Sequence, residues 1–334
     1  MSAIIQPLSL LAIIIIGYLF KRYQVFGQRD YNVLKSAVFN LTLPCAIIHS
    51  FATNPHDPSM LLVSLFGFFA CLLPIVIMFL FSRRMSVGRR VFLMLNGSGL
   101  NVGNFCLPVV TAIMGSGAAI SVIMFDIGNS IMVCAGMYVL TVALLHVPED
   151  RPLRPEEAQG APVMPRIRPK DRQARMLALR AHILTVIKSF VTSVPFDTYV
   201  VMVVLMLAGV SIPGFVGDFV EPVSKANGFC SMLMVGMMMD MPSSKRDALD
   251  VAQVVAWKLV FITLLGLAAW FLLPFDPLTR KAVVLTCMAP SAVFSVLYTD
   301  RVLGNAKLAG FTLACTGFLS LALMTAGNIL IPVA

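Results

Sequence analysis

The sequence predicts an all-α polytopic membrane protein, and two observations carry that prediction. Of the 334 residues, 58% are hydrophobic and only 12% are charged. Apolar runs of about 20 residues, long enough to cross the hydrocarbon core as helices, recur along the whole chain. The ten predicted transmembrane spans are 4–20, 33–51, 59–82, 89–114, 117–146, 190–211, 218–240, 248–273, 279–302 and 306–332.

Short polar segments separate these spans. Asn54-Pro55-His56-Asp57-Pro58 lies between the second and third spans, and Gly115-Ser116-Gly117 lies between the fourth and fifth. No positive residues precede the first apolar stretch, which favours a true span over a cleaved signal peptide. The long polar segment 147–182 is rich in Pro, Arg and Glu, and we expect a flexible loop with a basic amphipathic turn from Arg172 to Arg180.

The positive charges predict the orientation of the chain. Of the 25 Lys and Arg residues, all but Lys225, Arg280 and Lys281 fall on one side of the membrane by this count of spans. Cytoplasmic loops carry the excess of positive charge, so the long loop is predicted to be cytoplasmic and both termini external. Orientation therefore explains the net charge of +9, and nucleic-acid binding is not expected.

The long loop divides the chain into residues 1–146, a loop of residues 147–189, and residues 190–334. Each outer part holds five spans, and five is an odd number. The second half therefore enters the membrane with the opposite orientation to the first. Such inverted repeats are typical of secondary transporters, whose sites lie between discontinuous helices.

Two corresponding spans contain residues that a membrane helix normally avoids. Span four holds Asn101-Val102-Gly103-Asn104-Phe105-Cys106-Leu107-Pro108, and span nine holds Cys287-Met288-Ala289-Pro290-Ser291-Ala292. Irregular backbone at membrane depth is tolerated only where protein buries it or where it lines a cavity. Each break exposes helix N-termini with partial positive charge, which suits an anion. The candidate substrate-binding residues are Asn101, Gly103, Asn104, Cys106, Pro108, Pro290, Ser291 and Ala292.

Two charged residues inside spans are candidates for coupling or gating. Asp126 lies well within span five, and Asn129 and Ser130 share its helix face. An intramembrane carboxylate indicates a proton or cation coupling site facing the cavity, and the alternative is an interfacial Asp that caps a helix or pairs near the outer membrane edge. Lys258 lies inside span eight, where it either snorkels to the inner surface or acts as a fixed countercharge.

The other polar and sulfur-containing residues indicate helix packing more than a chemical function. Thr312, Thr316 and Ser320 form a stripe in span ten that either lines the cavity or packs between helices. The seven cysteines are isolated in apolar segments, and the Met run of span seven lacks thiolate or His partners, so neither disulfides nor a metal site is expected. No nucleotide-binding motif or catalytic pair occurs in the sequence, so we expect neither enzymatic activity nor a bound cofactor. Energy would then come from an ion gradient, the membrane potential or the substrate gradient.

Over nearly its whole length except 147–182, the chain resembles the auxin efflux carrier family of membrane transporters. The most specific match is Asn101 to Pro108, which is similar to the family pattern Asn-x-Gly-x-x-Gly-x-Pro. Further matching segments are Gly17-Tyr18-Leu19 before Lys21-Arg22, Val38-Phe39-Asn40-Leu41-Thr42-Leu43-Pro44, Phe125-Asp126 with Asn129, Gly236-Met237, Met288-Ala289-Pro290 and Thr316 to Ser320.

The resemblance implies a ten-helix inverted repeat in which spans four and nine cross at their prolines, with elevator-type motion and a homodimer. Bacterial members of the family are often linked to small organic acids such as malate or malonate. The resemblance to them implies that the protein lies in a bacterial inner membrane. In the plant carriers the Asn matching Asn101 contacts the substrate carboxylate, and Lys258 resembles a basic residue frequent in bacterial members. Cys106 stands where Gly is usual, and span three lacks the Asp/Lys pair of the plant carriers, so auxin is not the expected substrate.

The leading hypothesis is a secondary active carrier of small organic anions, driven by a proton gradient or the membrane potential. Its expected partners are a small organic acid and the lipid bilayer. Asp126, Asn129 and Lys258 would serve coupling or the gate. One alternative is a sodium-coupled organic anion symporter of the bile acid carrier type, which needs extra acidic ligands near the crossing. Another is a ligand sensor without transport, which needs a signalling domain larger than the loop.

Overall fold

A computed structural model describes residues 2–54, 58–148, 151–165, 194–239 and 245–332, and the single positions 176, 180 and 184. Most of the predicted amphipathic turn from Arg172 to Arg180 lies outside these residues. The described chain is helical, and its only β pairing is one isolated bridge. The helices are α1 (Ser2–Arg22), α2 (Tyr31–Thr53), α3 (Pro58–Phe81), α4 (Val87–Ser98), α5 (Val102–Met114), α6 (Ser116–Leu145), α7 (Pro155–Gln159), α8 (Val194–Leu207), α9 (Gly214–Met238), α10 (Lys245–Leu272), α11 (Pro277–Cys287), α12 (Val293–Leu303) and α13 (Ala306–Leu330).

Each of the ten predicted apolar segments is mainly helical in its described residues. Spans four and nine each consist of two helices, α4 with α5 and α11 with α12, separated by non-helical residues. Within the described ranges, α2, α3, α6, α10 and α13 are long and apolar enough to cross a membrane, and α5 and α8 are shorter apolar helices. The all-α prediction is confirmed, while the ten-span inverted repeat stays a prediction.

The helices pack as two groups. In the first group α9 packs on both α1 and α2, and α8 packs on α2. In the second group α3 packs on α6, α10 on α11 and α12 on α13, and α4 contacts α3, α10 and α12. The interrupted helices therefore belong to the second group, and they face the first across the region described below.

Glycines allow the closest helix contacts within both groups. A Cβ atom at Gly128 of α6 would stand 1.7 Å from the carbonyl oxygen of Ser64 in α3, and one at Gly67 would stand 2.1 Å from the α6 backbone. The same arrangement joins α1 and α9 at Gly17 and Gly236. Small residues at such positions let two backbones approach, which drives helix association in membranes.

Replacing Gly128 with Ala is expected to destabilise the protein by about 3 kcal/mol or more, because the backbones of α3 and α6 must separate. Thermal unfolding in detergent measures this effect. Gly117→Ala is the control, since a Cβ atom at Gly117 meets no atom within 4 Å. Equal unfolding midpoints for the two variants would contradict the expectation.

The predicted flexible loop is wrong for residues 151–165, which fold against the helix ends. Leu153 is buried, and its backbone N–H donates to the carbonyl of Val302 at 2.8 Å. Carbonyls of the same segment accept from the backbone N–H of Val87 at 3.0 Å and from the buried Arg90 guanidinium at 2.8 Å. The segment thus joins the end of α12 to the start of α4.

Glu157 organises the short helix of that segment. Its carboxylate accepts two hydrogen bonds of 2.7 Å from Arg151 and one of 2.8 Å from the backbone of Arg154. The Arg151 guanidinium, more than any other group, lowers the pKa of Glu157 from 4.5 to about 2. Because the folded pKa is the lower one, these contacts contribute fully above pH 4.5 and are lost as the pH falls towards 2.

Candidate functional site

The two interrupted helices contact each other at their breaks. A single antiparallel bridge joins them. The backbone N–H of Asn101 donates to the carbonyl of Pro290 at 2.9 Å, and that of Ala292 donates to the carbonyl of Gly99 at 3.1 Å. The two sequence segments that predicted breaks therefore meet, and each satisfies backbone groups that the other leaves free.

The first break follows from its local sequence. The backbone is extended at Gly99, where α4 ends, and α5 opens with a wide π-helical turn from Val102 to Cys106. Pro108 follows within the first two positions of the regular α-helix, where the missing N–H is best tolerated. Single π turns inside helices are frequent at functional sites.

Serine side chains cap the carbonyls at the end of α4. The hydroxyl of Ser295 donates to the Leu95 carbonyl at 2.7 Å, and that of Ser291 donates to the Asn96 carbonyl at 2.6 Å. The backbone N–H of Ser291 donates in turn to the Thr316 hydroxyl at 3.1 Å. Ser291, a candidate substrate ligand, is thus fully buried and holds the crossing together.

A pocket lies beside the crossing, between the two helix groups. Its cavity volume is about 40 Å³, and the space free of protein atoms is about 430 Å³ when the open mouth is included. The N-terminal turns of α5 and α12 form one wall, and α2, α6 and α8 form the others. The candidates from the sequence that line it are Asn101, Gly103, Asn104, Asp126, Asn129 and Ala292.

Two buried amides at the pocket each have one atom without a partner in the described chain. Asn101 is 4% exposed and Asn104 is 6% exposed. Within the described chain, Nδ2 of Asn101 and Oδ1 of Asn104 form no hydrogen bond. Buried polar atoms are normally satisfied, so the Asn101 donor is available to an anionic group of a ligand and the Asn104 acceptor to a donor group. They lie where two helix N-termini contribute partial positive charge, which suits a bound anion.

Asp126 lies in the same pocket and is 5% exposed. Its carboxylate accepts hydrogen bonds from the Tyr199 hydroxyl at 2.5 Å and from the Asn129 amide at 2.6 Å, and the backbone N–H of Gly103 also reaches it. No Lys, Arg or His is among the described residues around the pocket. Asp126 is thus buried and paired with hydrogen-bond donors from α6 and α8.

Asn129 links Asp126 to the crossing. Besides donating to Asp126, its amide donates to the Leu100 carbonyl at 3.0 Å and accepts from the Cys71 thiol at 2.9 Å. The Asn129 amide is thus already bonded to other groups of the protein. Asn129 therefore positions the Asp126 carboxylate relative to the interrupted helix.

Several other candidates lie outside the pocket. The thiol of Cys106 faces the Leu285 carbonyl at 3.9 Å, so it does not narrow the pocket. Pro108 borders a separate cleft, and Pro290 contributes its carbonyl to the crossing. The stripe of Thr312, Thr316 and Ser320 is buried away from the pocket, which favours the packing interpretation.

Some pocket residues were not found from the sequence. Tyr199 of α8 was passed over, although a tyrosine hydroxyl inside an apolar span needs a partner and could have been a signal. Asn227 of α9, which borders the separate cleft beside Pro108 and contacts the first break, was also missed. Its amide donates to the carbonyl of Gly103 at 3.3 Å and accepts from the Thr42 hydroxyl at 2.9 Å.

An aromatic pair forms another part of the pocket wall that the sequence did not indicate. The rings of Phe39 in α2 and Phe294 in α12 meet edge to face, with centroids 5.5 Å apart. The pair thus joins the two helix groups across the pocket.

Comparison with known proteins decides the family. A family model described as "Membrane transport protein" matches residues 2–321, which include both breaks, Asp126 and Lys258. The chain belongs to this family, that of the auxin efflux carriers. It is also 22% identical over 294 residues to an uncharacterized transporter of Methanothermobacter thermautotrophicus, covering 87% of this chain and 85% of that protein.

The family and the relative indicate an integral membrane transporter rather than an enzyme. The apolar helices agree with that class, because five of them within the described ranges are long enough to cross a bilayer.

Proposed function

We propose that the protein is a secondary active carrier of small organic anions, with a carboxylate as the bound group. The observation that carries this proposal is the Asn101 amide donor, which has no partner in the described chain and lies in a buried pocket at the N-terminal turns of both interrupted helices. A carboxylate would accept from the Asn101 amide and from free backbone N–H groups of these turns. Helix N-termini bind anions without any formal positive charge, and none lines the described pocket.

The same pocket supports coupling to protons. A substrate carboxylate beside an ionised Asp126 would place two negative charges within a few ångströms, where a low dielectric makes repulsion strong. A proton on Asp126 removes that repulsion, so substrate and proton would bind together. The hydroxyl of Tyr199 can donate to an ionised Asp126 or accept from a protonated one.

Alternating access would come from movement between the two helix groups. The pocket has walls from both groups, so relative displacement would open it to one side and then the other. We propose an elevator-type movement of the group that contains the interrupted helices. The proposal includes the predicted ten-span inverted repeat. It also includes a homodimer in a bacterial inner membrane, with both termini outside.

Transport by purified protein in proteoliposomes tests the proposal. Labelled malate, malonate and indole-acetate are offered under imposed gradients of pH and of electrical potential. We expect accumulation of a small carboxylate driven by the pH gradient. Failure of the folded protein to move any weak acid, with folding shown by a monodisperse elution profile, would overturn it.

A substitution at Gly103 is expected to weaken binding by crowding Asp126. A Cβ atom there would stand 2.8 Å from Oδ2 of Asp126 and 3.0 Å from the Leu43 side chain. Gly103→Ala should therefore lower substrate affinity about tenfold by displacing the carboxylate, with a cost of overpacking near 1–2 kcal/mol. Substrate-induced thermal shift measures it. Gly317→Ala is the matched control, because its added atom makes only an ordinary 3.5 Å contact. Equal affinities would contradict the assigned pocket.

A further inference from the structure

Lys258 of α10 lies at the crossing, away from the substrate pocket. Its side chain is 3% exposed, so it does not snorkel to the cytoplasmic surface. The ammonium lies 3.4 Å from the carbonyl oxygen of Gly99 and 3.4 Å from that of Ala289. It borders a separate small cavity of about 10 Å³, which shares Leu100 with the substrate pocket.

The two carbonyls belong to the ends of two helices. Gly99 directly follows α4, and Ala289 lies two residues beyond α11. The last carbonyls of a helix lack partners within it and carry roughly half a negative charge. At this crossing two such ends converge, so together they attract about one unit of positive charge.

No acid balances the Lys258 charge in the described part of the chain, where no carboxylate lies within ion-pair distance of its ammonium. Nor does Lys258 line the substrate pocket, so a direct contact with the substrate does not explain its burial. A buried ammonium normally needs a charged partner or several hydrogen bonds. The convergent helix ends are the partners that the structure provides.

We infer that Lys258 is a built-in cation for the helix crossing, and that its ammonium fills a site which, once emptied, accepts a small monovalent cation such as an alkylammonium ion. Lys258 is then a positioning residue. It holds the C-terminal ends of α4 and α11 together, and the N-terminal ends of α5 and α12 thereby face the substrate. With this cation covalently in place, the carrier needs no alkali metal ion, which argues against the sodium-coupled alternative.

Chemical rescue of Lys258→Ala tests this inference. Its unfolding temperature in detergent should fall by at least about 5 °C. Ethylammonium or propylammonium chloride should restore most of that loss, while choline chloride at equal ionic strength should not. Lys258→Met is the matched control, because it fills the same space without charge and leaves no room for an amine.

The wild-type protein supplies the second comparison. Its unfolding temperature should be the same in sodium and in choline chloride. Stabilisation of the wild type by sodium, or equal recovery of the Ala and Met variants with amine, would overturn the inference. If Lys258→Ala does not fold, Lys258→Met provides the test by itself. A Lys258→Met protein that is as stable as the wild type and binds substrate equally well would show that the charge is not needed, and would overturn the inference.

Transport adds a readout that rests on the proposed function. Amine should raise uptake by Lys258→Ala proteoliposomes about tenfold and leave Lys258→Met uptake unchanged. Thermal rescue without any transport by the wild type would contradict the carrier function and leave the built-in cation standing. Transport by the wild type without rescue of the Ala variant would support the carrier function and contradict the built-in cation.

Discussion

Replacing Asp126 with Asn is expected to abolish accumulation of substrate against its gradient while binding persists. The amide retains a carbonyl oxygen that can accept from Tyr199, so the pocket keeps its shape, but the side chain no longer takes up or releases a proton. With one proton per substrate, each unit of imposed pH difference supports roughly tenfold accumulation. We expect this factor to fall to one, and counterflow exchange at equal pH to continue.

The measurement is uptake of labelled substrate into proteoliposomes under an imposed pH gradient. Asp300→Asn is the control, because Asp300 lies on interrupted helix α12 but is exposed to the surroundings. Full accumulation by Asp126→Asn would rule out its role in coupling. Loss of accumulation in both variants would point to a general effect of removing charge.

Replacing Asn101 with Asp is expected to remove binding of the anion, and the loss should exceed a hundredfold. The change deletes a donor to the carboxylate and adds a negative charge near the same atoms. A hydrogen bond to a charged group contributes about 1.5–3 kcal/mol, and the added repulsion enlarges the loss. Substrate titration by thermal shift and by calorimetry gives the affinity.

Asn101→Ala separates binding from folding. In the described chain Nδ2 of Asn101 is buried without a partner, so its removal should change the free energy of unfolding by less than about 1 kcal/mol. Affinity should nevertheless fall at least about tenfold. Asn32→Asp, at an exposed asparagine that donates to the Arg29 carbonyl, controls for added charge. An unchanged affinity in Asn101→Ala would place the substrate elsewhere.

Much of the helix order was readable from the sequence. Apolar runs predicted the helical segments other than α7, and Pro108 and Pro290 predicted the two breaks that the structure shows in contact. Asp126 was identified because a carboxylate inside an apolar run has few structural uses. These predictions succeed because hydrocarbon offers no hydrogen bonds. Each membrane segment must therefore satisfy its own backbone groups as a helix, and a polar residue within it needs a specific reason.

The partners of the polar groups were not readable in that way. Tyr199 donates to an acid 73 residues away, and Lys258 reaches a carbonyl 159 residues away. The prediction of a flexible loop was wrong for 151–165, because the burial of Leu153 depends on a groove that only the assembled helix ends create.

The sequence by itself determined that the chain is an all-helical membrane protein with two broken helices and an isolated acid. Only the tertiary structure decided which side of the crossing each group occupies. Asn101 and Asp126 meet the N-terminal helix ends, and Lys258 meets the C-terminal ends. The reason is physical: helix formation is governed by neighbours in the chain, whereas the pairing of buried charges and dipoles is governed by which helices pack together.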